Sequence, residues 1–311
     1  MAIILISGGT GMIGSALQKF LVEKGHEAII LVRPGSRSKN KNSDAHVTYA
    51  DWNVESGDID KEAIERADHI VHLAGANVGE KRWTKKRKKE ILESRTTSSA
   101  LLVRAMGEIP NKIKTVISAS GVGWYGPDTK ESRQKGFTED APPFNDFLGQ
   151  TCKQWEESIQ PVTNLNKRLA IFRFGVVVSE GGGALDEFKK PLKFGIATIL
   201  GDGKQVISWI HIYDLCRLIL FAIENEKFEG VYNAVTPKPV SNKELVLLLA
   251  KKIRRKSFIP VHVPAFTLRW ALGEMSVEVL KSTTVNDEKI RRAGFTFLYP
   301  SIESALENLQ L

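Results

Sequence analysis

Gly8-Gly9-Thr10-Gly11-Met12-Ile13-Gly14 follows a short apolar run, Ile3 to Ser7, and leads into a helical apolar face at Ile13, Leu17, Phe20 and Leu21. Glycines spaced this way between a strand and a helix let the chain turn tightly, let backbone approach a ligand, and let the helix pack closely. The start of that helix supplies N–H donors and positive potential, which suits the pyrophosphate of a dinucleotide. An acid about 20 residues further on would read the ribose hydroxyls of NAD. None stands there. The second apolar run ends instead in Val32-Arg33-Pro34-Gly35-Ser36-Arg37, and guanidinium and hydroxyl groups suit a 2′-phosphate. The expected cofactor is NADP, with Gly8, Thr10, Gly11, Met12, Ile13 and Gly14 at the phosphates and Arg33 and Arg37 at the ribose. The plainer alternative makes both arginines exposed loop residues.

These groups need a scaffold that brings strand ends together. Ile3 to Ser7, Ala28 to Val32, Val47 to Asp51, His69 to Ala74 and Thr115 to Ser120 read as short buried strands, with helical stretches between several of them. Alternation of this kind predicts an α/β fold: a Rossmann-type, doubly wound parallel sheet. A further strand is expected over Leu169 to Val178, after a helix carrying Lys153, Trp155 and Glu156. From Ser179 the rhythm changes, with Gly181-Gly182-Gly183 and then Gly201-Asp202-Gly203. Strands at Val206 to Ile212 and Gly230 to Ala234 and helices at Ser241 to Ile253 and Pro264 to Ser282 are expected beyond. We therefore expect a dinucleotide-binding region over 1–178, which also receives elements from about 205–235, and a smaller substrate-binding α/β region over 179–311.

With 311 residues, 42% of them hydrophobic, the chain can bury a sizeable core. Its longest apolar runs fall far short of the ~20 residues that a membrane helix needs, and Met1 runs directly into a strand-like segment without a leader pattern. Cys152 and Cys216 are far apart and form no C-x-x-C pair, so neither a disulfide framework nor a thiolate metal site is expected. A cytoplasmic location fits these features. The net charge of +8 is concentrated in Lys81, Arg82 and Lys85 to Lys89 around Trp83. That run reads as a solvated loop and helix start, since no helix-turn-helix, RNP-like or zinc motif accompanies it. The six histidines show no metal-ligand spacing.

The G-x-x-G-x-x-G form of Gly8, Gly11 and Gly14 resembles that of the extended short-chain dehydrogenases/reductases, the branch that includes sugar-nucleotide epimerases. Asp51-Trp52, His72-Leu73-Ala74-Gly75-Ala76, Ser118-Ala119-Ser120, Tyr125-Gly126, Thr138-Glu139-Asp140-Ala141-Pro142, Arg173-Phe174-Gly175-Val176-Val177 and Gly201-Asp202-Gly203 with Trp209-Ile210-His211 and Asp214 follow in that branch's order. Gly181-Gly182-Gly183-Ala184-Leu185, Ser94-Arg95 and Cys152-Lys153-Gln154-Trp155-Glu156 resemble its atypical "epimerase family" group. The resemblance implies that Asp51 and Trp52 lie against adenine, and that Leu73, Ala74, Gly75 and Lys153 belong to the cofactor site. It also implies a Ser, a Tyr and a Lys four residues beyond the Tyr as the catalytic set, and dimerisation through two long helices.

Ser120 and Lys153 match that set, but Gly149 stands where the Tyr would be and offers no acid or base. An ammonium near a phenol lowers a pKa of about 10, so loss of the phenol removes the proton relay. Tyr125, from the loop after the fifth strand, is the candidate replacement, with Asp146 or Glu139 as carboxylate alternatives. The leading expectation is an NADP(H)-dependent oxidoreductase or epimerase-like enzyme on a small hydroxyl or carbonyl compound. The alternative is a redox sensor that binds NADP(H) and signals through a protein partner.

Overall fold

The structure, a computed structural model, describes residues 1–36, 44–255 and 257–311. In chain order its first elements are β1 (Ile3–Ser7), α1 (Met12–Glu23), β2 (Glu27–Val32), β3 (Val47–Asn53), β4 (Asp58–Ile59), α2 (Lys61–Arg66), β5 (His69–His72), α3 (Lys85–Glu108) and β6 (Thr115–Gly121). After these come α4 (Ser132–Lys135), α5 (Phe147–Ile159), β7 (Arg168–Phe174), β8 (Val176–Val178), α6 (Gly183–Leu192) and β9 (Ile196–Leu200). Next are β10 (Val206–Ile207), β11 (Trp209–His211), α7 (Ile212–Glu224), β12 (Gly230–Ala234), β13 (Val240–Ser241), α8 (Asn242–Arg254) and β14 (Ile259–Val263). Shorter helices fill the remainder, ending with Ile302–Asn308.

The main sheet runs β12-β7-β6-β5-β1-β2-β3-β4, parallel throughout except for the short β4. Its strands are apolar on both faces because helices cover both. Ile4, Ile6, Val71, Ile117 and Phe172 point to the side that holds α1 and α7. Leu5, Ile29, Leu31, Ile70 and Val116 alternate to the opposite side, against α2 and α3. Strand order reverses between β1 and β5, so the loops leaving those two strands diverge and open a crevice at their C-terminal ends.

Three expected elements are broken, two of them at a glycine; the third, Val206 to Ile212, divides at Ser208 into β10 and β11, and Ile212 opens α7. The run Leu169 to Val178 divides at Gly175, where any side chain would meet the Ser208 carbonyl oxygen at 2.7 Å. The chain leaves the main sheet there: β7 pairs with β12, whereas β8 pairs in parallel with β11. The expected helix Pro264 to Ser282 divides at Gly273, whose φ of 62° no helix continues through. The remaining pairs, β10 with β13 and β14 with β9, surround a second core of Leu185, Leu192, Ile199, Trp209, Leu245, Leu249 and Leu306.

Asp214 ties the chain end to the main body. It is fully buried on α7, accepts from the backbone N–H of Leu298 at 3.0 Å and of Tyr299 at 2.9 Å, and pairs with Arg217 at 2.7 Å. Asp214→Ala leaves two backbone donors and the Arg217 guanidinium without their buried acceptor and is expected to cost about 1–3 kcal/mol. Urea unfolding measures this, and a midpoint equal to wild type would refute the role.

Candidate functional site: the crevice between β1, β5 and β6

The crevice is built first from its glycines. Gly8 has φ of 71°, and a side chain on it would strike the backbone of Leu73 at 2.8 Å, so the loop after β1 and the loop after β5 touch there. Gly14 lets α1 lie on the turn, since a Cβ would sit 2.4 Å from the Gly8 oxygen. Gly11 differs: its only crowding neighbour is the Gly8 oxygen at 3.3 Å. As N-cap of α1 it offers no side-chain acceptor, and the first turn carries no acid. The early N–H groups of α1, at Met12, Ile13 and Gly14, are thus left for an external anion. Thr10 is exposed at the tip of the turn.

Arg33 is exposed where β2 ends, and its carbonyl accepts from Ser36 N–H at 3.0 Å. Arg37 lies outside the described residues. Asp51 borders the same edge, since Val32 and Asp51 are register partners. Trp52, next in the chain, packs its indole in the core with Leu5, Ile64 and Leu101. Leu73, Ala74 and Gly75 form the wall that leaves β5, with Leu73 N–H bonded to the Ser7 oxygen at 3.1 Å.

The catalytic candidates do not assemble as expected. Ser120 ends β6, but its hydroxyl donates to Glu156 Oε1 at 2.7 Å. Arg173 holds that carboxylate with two bonds, Nε to Oε1 at 2.8 Å and Nη2 to Oε2 at 2.9 Å. Arg173 Nη1 also donates to Tyr125 Oη and to the Glu139 carbonyl, each at 3.0 Å. Tyr125 in turn donates to Asn233 Oδ1 at 2.6 Å. Tyr125 is 1% exposed, and burial raises its pKa well above the usual phenol range. Its hydroxyl is buried and held between Arg173 and Asn233.

Lys153 also departs from expectation. Its ammonium lies 3.7 Å from Glu157 with the side chain 45% exposed, in a surface groove beside Gln160, Thr163 and Val231. The four-residue pair on α5 that faces the end of β6 is Leu148 and Cys152. A side chain on Gly123 would meet Leu148 at 3.2 Å, and the Cys152 thiol donates to the Gly121 carbonyl at 3.6 Å. Burial, then Glu156, pushes that thiol up to about 11, so it is neutral. Reading the helix from Lys153 therefore sets the register one residue off. The apolar series Leu148, Cys152, Trp155 and Ile159 was the signal for the true inward face.

The basic run is not uniformly solvated either. Arg87 is buried and pairs with Glu80 and Glu90, while Lys88 pairs with Glu274 of the C-terminal region. Among the described residues no cluster of metal-ligating side chains occurs, and no helix is long and apolar enough to cross a membrane.

Sheet order, switch-point crevice and glycine turn together define a Rossmann-type α/β protein of the extended short-chain dehydrogenase/reductase type. The chain belongs to the NAD dependent epimerase/dehydratase family, whose model matches residues 4–234; a domain of unknown function matches 263–309. It is 36% identical over 307 residues to the epimerase family protein YfhF of Bacillus subtilis, covering 98% of this chain and 97% of YfhF. The human epimerase family protein SDR39U1, solved with NADPH, superposes with a TM-score of 0.82 at 27% identity, over 99% of this chain and 100% of that one. UDP-glucuronic acid 4-epimerase from Bacillus cereus shares the fold, with a TM-score of 0.78 at 20% identity over 98% of this chain and 96% of the epimerase.

Proposed function

We propose that this protein binds NADP(H) in the β1–β5 crevice and acts on a small hydroxyl or carbonyl compound without the usual phenol–ammonium relay. The carrying observation is the uncapped start of α1 at Gly11, with Arg33 in place of an acid at the end of β2. Met12, Ile13 and Gly14 would hold the pyrophosphate through backbone N–H groups, and Arg33 the 2′-phosphate. The bound dinucleotide would supply a hydride at its nicotinamide ring. NADPH on the human relative supports the same choice here.

At the far end of the crevice this chain presents Leu148, Cys152 and a Ser120 whose proton is already given to Glu156. Ser120 can therefore accept a hydrogen bond from a ligand while it stays bonded to Glu156, but it has no proton of its own to spare. This favours a second reading, in which NADP(H) binding is retained as a redox signal to a partner. Consumption of NADPH across a broad carbonyl panel speaks for the enzyme; tight binding without consumption speaks for the sensor.

Calorimetric titration tests the cofactor. NADPH is expected to bind more tightly than NADH, and Arg33→Ala to lose about ten- to a hundredfold in NADPH affinity while leaving NADH affinity unchanged. Preference for NADH, or an unaffected Arg33→Ala, would refute the assignment.

A further inference from the structure

Arg87 and Arg95 lie on one helix, α3, but only one of them is neutralised. Arg87 meets Glu80 at 3.1 Å and Glu90 at 2.9 Å. No carboxylate pairs with Arg95 among the described residues; its Nη1 donates only to the carbonyls of Ile91 at 2.8 Å and Ala76 at 3.1 Å. Its guanidinium stands 4.9 Å from the Trp155 ring centroid and lies along the loop that leaves β5. A Cβ on Gly75 would come within 3.0 Å of Arg95 Cζ and 3.2 Å of both terminal nitrogens, so a residue other than glycine there would displace it. Desolvation lowers its pKa to about 10, so it remains a cation at neutral pH. A half-buried cation without a carboxylate partner among the described residues marks a place where a ligand can complete the pairing.

Its surroundings say which end of the ligand that is. Cys152 and Trp155 come from the inward face of α5, the face that borders Ser120. Gly75 and Ala76 come from the wall opposite the glycine turn. Arg95 thus sits beside the end of the crevice remote from Arg33, where α5 carries Cys152 and Leu148 and no ammonium. A guanidinium has five donors, and among the described residues no group accepts from Nη2 or Nε.

We propose that Arg95 supplies, from α3, the positive charge that Cys152 does not supply from α5, and that it binds the nicotinamide half of the dinucleotide through its ribose hydroxyls and adjacent phosphate. This rests on the cofactor reading above and goes beyond it in assigning a residue of another helix to that half. Gly75 is then the residue that makes room for Arg95.

Two probes separate the halves of the cleft: NADPH, and 2′-phospho-AMP, which carries the adenine half alone. Arg95→Met is expected to weaken NADPH about ten- to a hundredfold and to bind 2′-phospho-AMP as wild type does. Arg95→Lys, a point charge without the planar fork, should recover part of the loss. NADPH binding unchanged in Arg95→Met overturns the proposal and leaves the cofactor reading standing. Equal weakening of both probes also overturns it, since the side chain would then be shaping the cleft as a whole. Failure of wild type to bind either probe removes the cofactor reading and this inference with it.

Discussion

Leu148→Tyr combined with Cys152→Lys is expected to raise hydride transfer from NADPH to simple aldehydes by about 10²–10⁴-fold over wild type, the usual worth of general acid–base assistance. The two positions are one helical turn apart on the inward face of α5, with Leu148 against Gly123 and Cys152 against Gly121. A phenol at 148 would be directed to the end of β6, and an ammonium at 152 would lie beside it to stabilise the phenolate. Gly149→Tyr, the change suggested by counting back from Lys153, should give no gain. A Cβ there would sit 2.1 Å from the Phe144 carbonyl oxygen, and the helix would have to move. The measurement is loss of NADPH absorbance on a panel of aldehydes, with melting curves and NADPH titration showing that each variant is folded and loaded. A folded, NADPH-binding double variant with no gain would mean that these positions do not address the nicotinamide. Wild-type turnover at ordinary enzyme rates would mean that another group already moves the proton.

The nucleotide-binding half was legible because its determinants are local. The turn from Gly8 to Gly14 carries its strand, its glycines and its helix in one continuous segment, and each of the parallel strands is a short apolar run between polar breaks. Helix faces were harder to read. On α5 the choice between Lys153 and Cys152 as the inward residue turns on a rotation of about 100° per residue, and a basic side chain attracts a functional reading that an apolar series does not. The network around Arg173 was out of reach for a different reason. It joins Ser120, Tyr125, Glu139, Glu156 and Asn233 from five separate segments, and no spacing in the chain announces that they meet. Gly175 and Gly273 are intermediate cases: glycine in a strand or helix pattern signals a break, but where the chain goes afterwards depends on β11 and on the second core.

Arg173→Met is expected to destabilise the protein by about 3–5 kcal/mol, because it leaves a buried charge alone instead of removing a pair. Glu156 is 8% exposed and Arg173 2%, and their two bonds are short and parallel. Without the guanidinium, the Glu156 carboxylate keeps only the Ser120 hydroxyl, while Tyr125 Oη and the Glu139 carbonyl each lose a donor. The pH dependence distinguishes this from a simple cavity. An isolated buried carboxylate has its folded-state pKa raised above the unfolded value of about 4.3. The folded variant then binds a proton more readily than the unfolded chain, so part of the lost stability should return as pH falls from about 7 to about 5. A cavity alone would give a loss independent of pH over that range. Glu156→Leu with Arg173→Met, which removes both charges, should cost less than Arg173→Met by itself. Urea unfolding of the three proteins at both pH values provides the comparison. A single variant within about 1 kcal/mol of wild type, or a loss that does not change with pH, would show that Glu156 is not held as an ion by Arg173. Ser120 would then not face a charged acceptor, and its hydroxyl proton would be available to a ligand.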